Sequence, residues 1–115
     1  MQHPSELAYR IYLVGFMGSG KSYYGKRLAE ALNYQFVDFD EAIEKKASQT
    51  ISDIFANQGE QAFRKIEQQV VEKSTQLTRV VYATGGGAPC FYNNMDRMKD
   101  GGVVLYLQAT TDLLV

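Results

Sequence analysis

Apolar residues along this chain come in two patterns, short near-continuous runs and stretches in which they recur every three or four positions. The runs at 7–14, Gln35–Asp38, Val80–Ala83 and 102–107 predict strands. The periodic stretches at 20–32, 41–46 and Glu60–Ser74 predict helices, with a shorter one after Thr50 and mixed loop and short helix over 89–98. In the first helix Tyr24, Leu28, Ala31 and Leu32 form the apolar stripe expected to lie on the sheet. Phe63, Ile66 and Val70 are the expected core face of the long helix, and Ile51, Ile54 and Phe55 that of the short one. Thr50 and Asp53 have the spacing of a capping box, and Asn57-Gln58-Gly59 marks a break. Tyr9, Tyr12, Tyr34 and Tyr82 read as half-buried strand residues and Tyr92 as loop. Near-continuous strands alternating with helices imply an α/β fold, a parallel sheet covered on both faces, in one domain over 1–115. The last strand is followed only by 109–115, a helix barely begun, so its cover is expected to be incomplete and the chain to be a fragment.

Composition adds mostly exclusions. Hydrophobic residues make up 45% and charged ones 22%, as in ordinary globular proteins, and a formal net charge of -1 offers no basic field for nucleic acid. No run approaches the length of a membrane span, and 1–4 lack the features of a signal peptide, so no membrane partner and a cytoplasmic location are expected. The single cysteine, Cys90, excludes an internal disulfide and reads as a small loop residue. The one histidine, His3, lies at the N-terminus, so a carboxylate is the first candidate for any proton transfer.

Candidate chemistry starts at Gly15-Phe16-Met17-Gly18-Ser19-Gly20-Lys21-Ser22, directly after the first strand. That is the spacing of a phosphate-binding loop, whose backbone N–H groups and following helix N-terminus face phosphate oxygens. Gly18, Ser19, Gly20, Lys21 and Ser22 are the candidate nucleotide contacts, with Lys21 on the outer phosphates and Ser22 on magnesium. Asp38 and Asp40 end the second strand and point the same way if the extended conformation persists; one would hold hydrated magnesium and the other accept a proton. A purely structural role, Asp38 ending the strand and Asp40 capping a helix, fits the same spacing. Arg64 and Glu67 are one helical turn apart and read either as a surface ion pair, with Glu60 competing, or as an oriented fork for a substrate carboxylate. Gly85, Gly86 and Gly87 follow the third strand at the end where ligands bind in such sheets, suggesting an unusual turn or close approach to a substrate. Phe16, Phe55 and Phe63 offer an apolar wall, although core packing is the simpler role for Phe63.

Together, 15–22, Asp38-Phe39-Asp40, the stretch 54–67 and Gly85-Gly86-Gly87 resemble shikimate kinase in order and separation, over about 11–107. The resemblance implies a three-layer P-loop fold like that of nucleoside-monophosphate kinases, with a five-stranded parallel sheet in the order 2-3-1-4-5. It implies transfer of the γ-phosphoryl group of ATP to the 3-hydroxyl of shikimate, with Mg2+ as cofactor, in aromatic amino acid biosynthesis. Catalytic roles then fall to Lys21 and Asp40 and magnesium to Ser22 and, through water, Asp38. Shikimate would meet Asp40, Arg64, the Gly85–87 backbone and the walls Phe55 and Phe63, with Glu67 holding the pocket together. The ATP contacts would be Gly18, Ser19, Gly20, Lys21, Ser22 and Tyr23, the last standing where the family usually has threonine, and the family's lid arginine, a later shikimate-binding arginine and the adenine-contacting segment have no counterpart before Val115. The 115-residue chain alone is therefore expected to bind nucleotide weakly and to show little kinase activity, with a longer parent active as a monomer. A gluconate or nucleoside kinase, or a nucleotide-binding domain without transfer chemistry, are the alternatives.

Overall fold

The structure is a computed structural model and describes residues 9–15, 20–85 and 92–107. Its elements run β1 (Arg10–Gly15), α1 (Lys21–Leu32), β2 (Gln35–Asp38), α2 (Phe39–Ala47), α3 (Ile51–Gln58), α4 (Glu60–Ser74), β3 (Val80–Ala83), α5 (Asn94–Lys99) and β4 (Val103–Leu107). The strands form one parallel sheet in the order β2-β3-β1-β4, which matches the first four places of the implied order. β1 is central, with Tyr12 opposite Tyr82 on one side and Val104 on the other.

Strand alternation separates the core into two layers. Ile11, Leu13 and Val81 face α1 and pack with Ala29. Tyr12, Val14, Val80 and Tyr82 face the other way and meet Phe39, Ile43, Ile54, Phe63, Val70, Val71 and Met98 from α2 to α5. Every strand residue of β1 and β3 is buried, as two-sided cover requires. At roughly 1.5–3 kcal/mol for each large apolar side chain removed from water, these layers are the main source of stability.

Several sequence expectations change. The buried residues of α1 are Gly25 and Ala29, with Leu28 packed beside them, whereas Tyr24 and Leu32 are exposed. A Cβ at Gly25 would stand 2.5 Å from the Phe36 ring and 3.2 Å from Leu13 Cδ1, so the helix approaches the sheet through its smallest side chains. Tyr12 and Tyr82 are fully rather than half buried, stacked with centroids 5.1 Å apart. Tyr12 donates to Ser74 Oγ at 2.6 Å, Ser74 Oγ donates to the Val71 carbonyl, and Tyr82 donates to the Ser74 carbonyl at 3.0 Å. Burial pushes the Tyr12 phenol up and that of Tyr82 up to about 12, so both remain neutral donors. Thr50 does accept from Asp53 N at 3.1 Å, but the return bond of a capping box is not among the described contacts. Instead Glu44 reaches across from α2 and accepts from Ile51 N at 2.8 Å. The break before α4 is Gly59, whose φ of +88° favours glycine.

On β4, Val103, Leu105 and Tyr106 are exposed, while Val104 and Leu107 pack against the two core layers. This strand is thus only partly covered among the described residues. Residues 109–115, where a further helix is expected, lie outside them.

Candidate active site

Parallel strands deliver their following loops to one end of the sheet, and the candidate residues gather there. Gly18, Ser19 and Phe16 fall outside the described residues, but both ends of the loop are fixed. β1 ends at Gly15, and Gly20 precedes α1 in the left-handed region at φ 90°, ψ 22°. A side chain at Gly20 would be strained by that φ and would meet the Tyr24 ring at 3.2 Å. Lys21 and Ser22 open α1, beside the unpaired amides and positive dipole end of a twelve-residue helix. Lys21 Nζ donates to the Gly15 carbonyl at 2.7 Å, folding the lysine back over the loop. Loss of hydration lowers its pKa, and the charges of Asp40 and Asp38 partly offset this. Tyr23 is 58% exposed and turned along the helix, where Arg27 covers its ring at 5.4 Å and donates to its hydroxyl at 3.3 Å.

The extended conformation does not persist through the acidic pair. Asp38 ends β2 and is the N-cap of α2, its Oδ1 accepting from Asp40 N at 2.8 Å and Glu41 N at 3.5 Å. The helix starts at Phe39, so Asp40 lies in its first turn, and the cap is Asp38 rather than Asp40. The second oxygen of Asp38 accepts from Ser22 Oγ at 3.0 Å, which joins the loop to the acidic pair. Between the two aspartates Phe39 is fully buried, edge-on to Tyr12 and 5.3 Å from the Tyr82 ring, and it anchors this turn to the sheet. Asp40 is exposed as a residue, yet its carboxylate faces Gly85. Loss of hydration, then the charges of Asp38 and Glu44, push its pKa up against the pull of Lys21.

α4 supplies the third cluster. Arg64 Nη1 donates to Glu67 Oε1 at 2.9 Å, with the Glu67 side chain only 1% exposed and that of Arg64 16% exposed. The pair is therefore not the exposed surface ion pair that the spacing also allowed, although Glu60 stands 3.6 Å from Arg64 Nε. Burial raises the Glu67 pKa and Arg64 holds it down, while nearby Asp40 adds to the rise. A Cβ on Gly85 would lie 3.4 Å from both Asp40 Oδ1 and Glu67 Oε2, so those two carboxylates flank this position. Those are ordinary contact distances and Gly85 needs no left-handed φ, so no unusual turn requires glycine at this residue. Gly86 and Gly87 lie outside the described residues. Phe55 and Phe63 pack at 4.8 Å between centroids, Phe55 being 40% exposed and Phe63 6%, so Phe63 belongs to the core and Phe55 presents a face to solvent.

The arrangement gathers an ammonium, a hydroxyl and a capping carboxylate around the loop, and a carboxylate of raised pKa beside the half-buried Arg64–Glu67 pair. Such a site suits an anionic group at the loop and a second, carboxylate-bearing molecule at Arg64. Two contributors have no motif in the sequence. Thr84, buried beside Gly85, donates from both its N and its Oγ1 to the Leu13 carbonyl at 3.0 Å, fastening the strand ends from which the two glycine-rich loops leave. Glu44 acts on Asp40 by charge from one turn further along α2. Only the helical spacing from Asp40 to Glu44 hinted at this.

A family model described as shikimate kinase matches residues 17–115. A shikimate kinase from Azobacteroides pseudotrichonymphae is 47% identical over 106 residues, covering 91% of this chain and 62% of that relative. Among solved structures, a shikimate kinase from Acinetobacter baumannii in complex with shikimate superposes with a TM-score of 0.88 at 42% identity, over 96% of this chain and 63% of that one. A gluconokinase from Sinorhizobium meliloti shares the fold alone, at 22% identity and a TM-score of 0.53 over 92% of this chain and 61% of its own. The chain thus spans about three fifths of the length of the curated relatives it matches. Among the described residues, no helix is long and apolar enough to cross a membrane.

Proposed function

The chain belongs to the shikimate kinase family, and from that membership we propose that it carries the core of an enzyme that phosphorylates the 3-hydroxyl of shikimate from ATP. The observation that carries the reading is the convergence of Asp40, Gly85 and the buried Arg64–Glu67 pair next to Lys21, Ser22 and Asp38. A neutral acceptor would give a desolvated guanidinium, already oriented by Glu67, no anion to bind.

In this reading the loop amides and Lys21 hold the β- and γ-phosphates, and Lys21 leaves the Gly15 carbonyl to do so. Arg64 pairs with the shikimate carboxylate, Glu67 sets the plane of its fork, and Phe55 walls the ring. The 3-hydroxyl oxygen bonds to the γ-phosphorus as the bond to the ADP oxygen breaks, and the hydroxyl proton passes to Asp40. A carboxylate of raised pKa is better matched to that proton than an ordinary one. Ser22 Oγ and Asp38 Oδ2, hard oxygen donors already within 3.0 Å of each other, are the residues that would hold Mg2+. When bound, the ion supplies charge neutralisation on the phosphates.

A coupled ADP-release assay with shikimate and isothermal titration of shikimate test the reading. ADP release is expected to depend on shikimate. Arg64→Ala is expected to weaken shikimate binding and raise its KM by roughly 10–100-fold while leaving the ATP KM nearly unchanged. Equal effects on both substrates, or ADP release indifferent to shikimate, would overturn it.

A further inference from the structure

A cavity of about 410 Å3 opens between α2 and α4 at the β2 edge of the sheet. It shares no lining residue with the candidate active site. Its floor is apolar: Val37, Val70 and Tyr82 line it, and Leu77, 48% exposed, forms part of its rim. Its mouth is cationic, with Lys45 and Lys46 from the last turn of α2 and Lys73 from the last turn of α4. No acidic side chain lines it, and these three lysines have no ion-pair partner among the described residues.

Lysines near helix C-termini have an ordinary role in complementing the helix dipole, and magnitude decides whether that role suffices. Each helix end presents roughly half a negative charge, so two ends offset about one of the three positive charges. About two remain at the mouth of one small apolar cleft, in a chain whose formal net charge is -1. A general solvated surface distributes such charges among carboxylates, as Arg97 and Glu72 do nearby. The volume lies within the range of small-molecule sites, and an apolar floor with a few charged groups at one end is their usual chemistry.

We propose that this cleft is a binding site for a small amphipathic anion, an aromatic monocarboxylate whose ring lies on Val37, Val70 and Tyr82 and whose carboxylate sits among Lys45, Lys46 and Lys73. The site is separate from phosphoryl transfer and does not depend on it.

The test is an amide-resolved NMR titration of the full chain with 2-naphthoate as probe and its neutral amide, 2-naphthamide, as control, with and without saturating MgADP. The expected result is saturable shifts confined to 42–46, 69–77 and 82, unaltered by MgADP. The neutral amide is expected to bind at least about 10-fold more weakly, and the exposed-residue pair Lys45→Gln/Lys73→Gln to weaken naphthoate by a similar factor. Shifts centred on 20–23 and abolished by MgADP would assign the probe to the active site and overturn the proposal. Equal binding of the neutral amide, or no saturable shift, would overturn it too, the first by showing only an apolar groove.

Discussion

At the scale of single residues, like charges crowd the proposed base. The Asp40 carboxylate loses hydration beside Gly85 and faces Asp38 and Glu44, both of its own sign. A base is active only when deprotonated, so with Asp40 as the proposed base its raised pKa shifts the acid limb of the rate profile upward from where an unperturbed aspartate would set it. Removing one of the like charges lowers that pKa. Glu44→Gln keeps an acceptor for Ile51 N, leaves the fold intact and should move the acid limb of kcat to lower pH. An unmoved limb would show that Asp40 is not the titrating base. The spacing of Asp38 and Asp40 was legible in the sequence, but the way they come together was not. Alternation along a strand and an N-cap followed by a helical first turn predict similar positions, and only the cap frees Asp38 to use one oxygen for the helix and the other for Ser22. Arg64 and Glu67 show a related limit, since a buried and an exposed pair have the same separation along a helix. Burial is decided by what packs over the pair, here α2 and the end of β3.

At the scale of elements, most segments were readable from periodicity, and the clearest failure was the face of α1. Hydrophobic patterning weights large side chains, so it chose Tyr24 and Leu32 over Gly25 and Ala29. The helix instead approaches by its smallest residues, because the space against the sheet is already filled by Phe36 and Leu13. Gly25→Ala provides the test. Helix propensity alone favours alanine by about 1 kcal/mol, but a methyl 2.5 Å from an aromatic carbon forces repacking of the type that costs about 1–3 kcal/mol. The substitution should therefore lower the urea midpoint despite the better helix former. In a Phe36→Leu background, where the obstructing ring is gone, the same change should cost less. Equal costs in both backgrounds would rule out Phe36 as the obstacle.

At the scale of the whole molecule, layers and strand direction followed from the sequence pattern, whereas strand order came from the family resemblance, because periodicity carries no information about which strand lies beside which. The partial cover expected for the last strand has a physical consequence. Among the described residues β4 is the outer strand beside β1 and exposes Val103, Leu105 and Tyr106. An outer strand with exposed apolar residues is an association site. Leu105→Lys should reduce concentration-dependent association in sedimentation velocity, with stability changed by no more than about 0.5 kcal/mol. Association that is indifferent to this charge would place the contact elsewhere.

The central position of β1 also bears on how the chain reaches its fold. Arg10 pairs with Val80 and Ile11 with Val103, and even the outer pairing joins Gln35 to Val80. Every pairing is parallel, so the sheet has no hairpin from which to start, and β2 and β3, the one pair of described strands adjacent both in the chain and in the sheet, are separated by α2, α3 and α4. On a ribosome, β1 and β2 emerge early and remain without a partner until β3 appears. Meanwhile α2, α3 and α4, which pack on one another over short stretches of sequence, can assemble without the finished sheet. The order of synthesis thus favours a helical, sheetless nascent chain, and the phosphate-loop end of β1 acquires its shape only after three quarters of the described elements have been made.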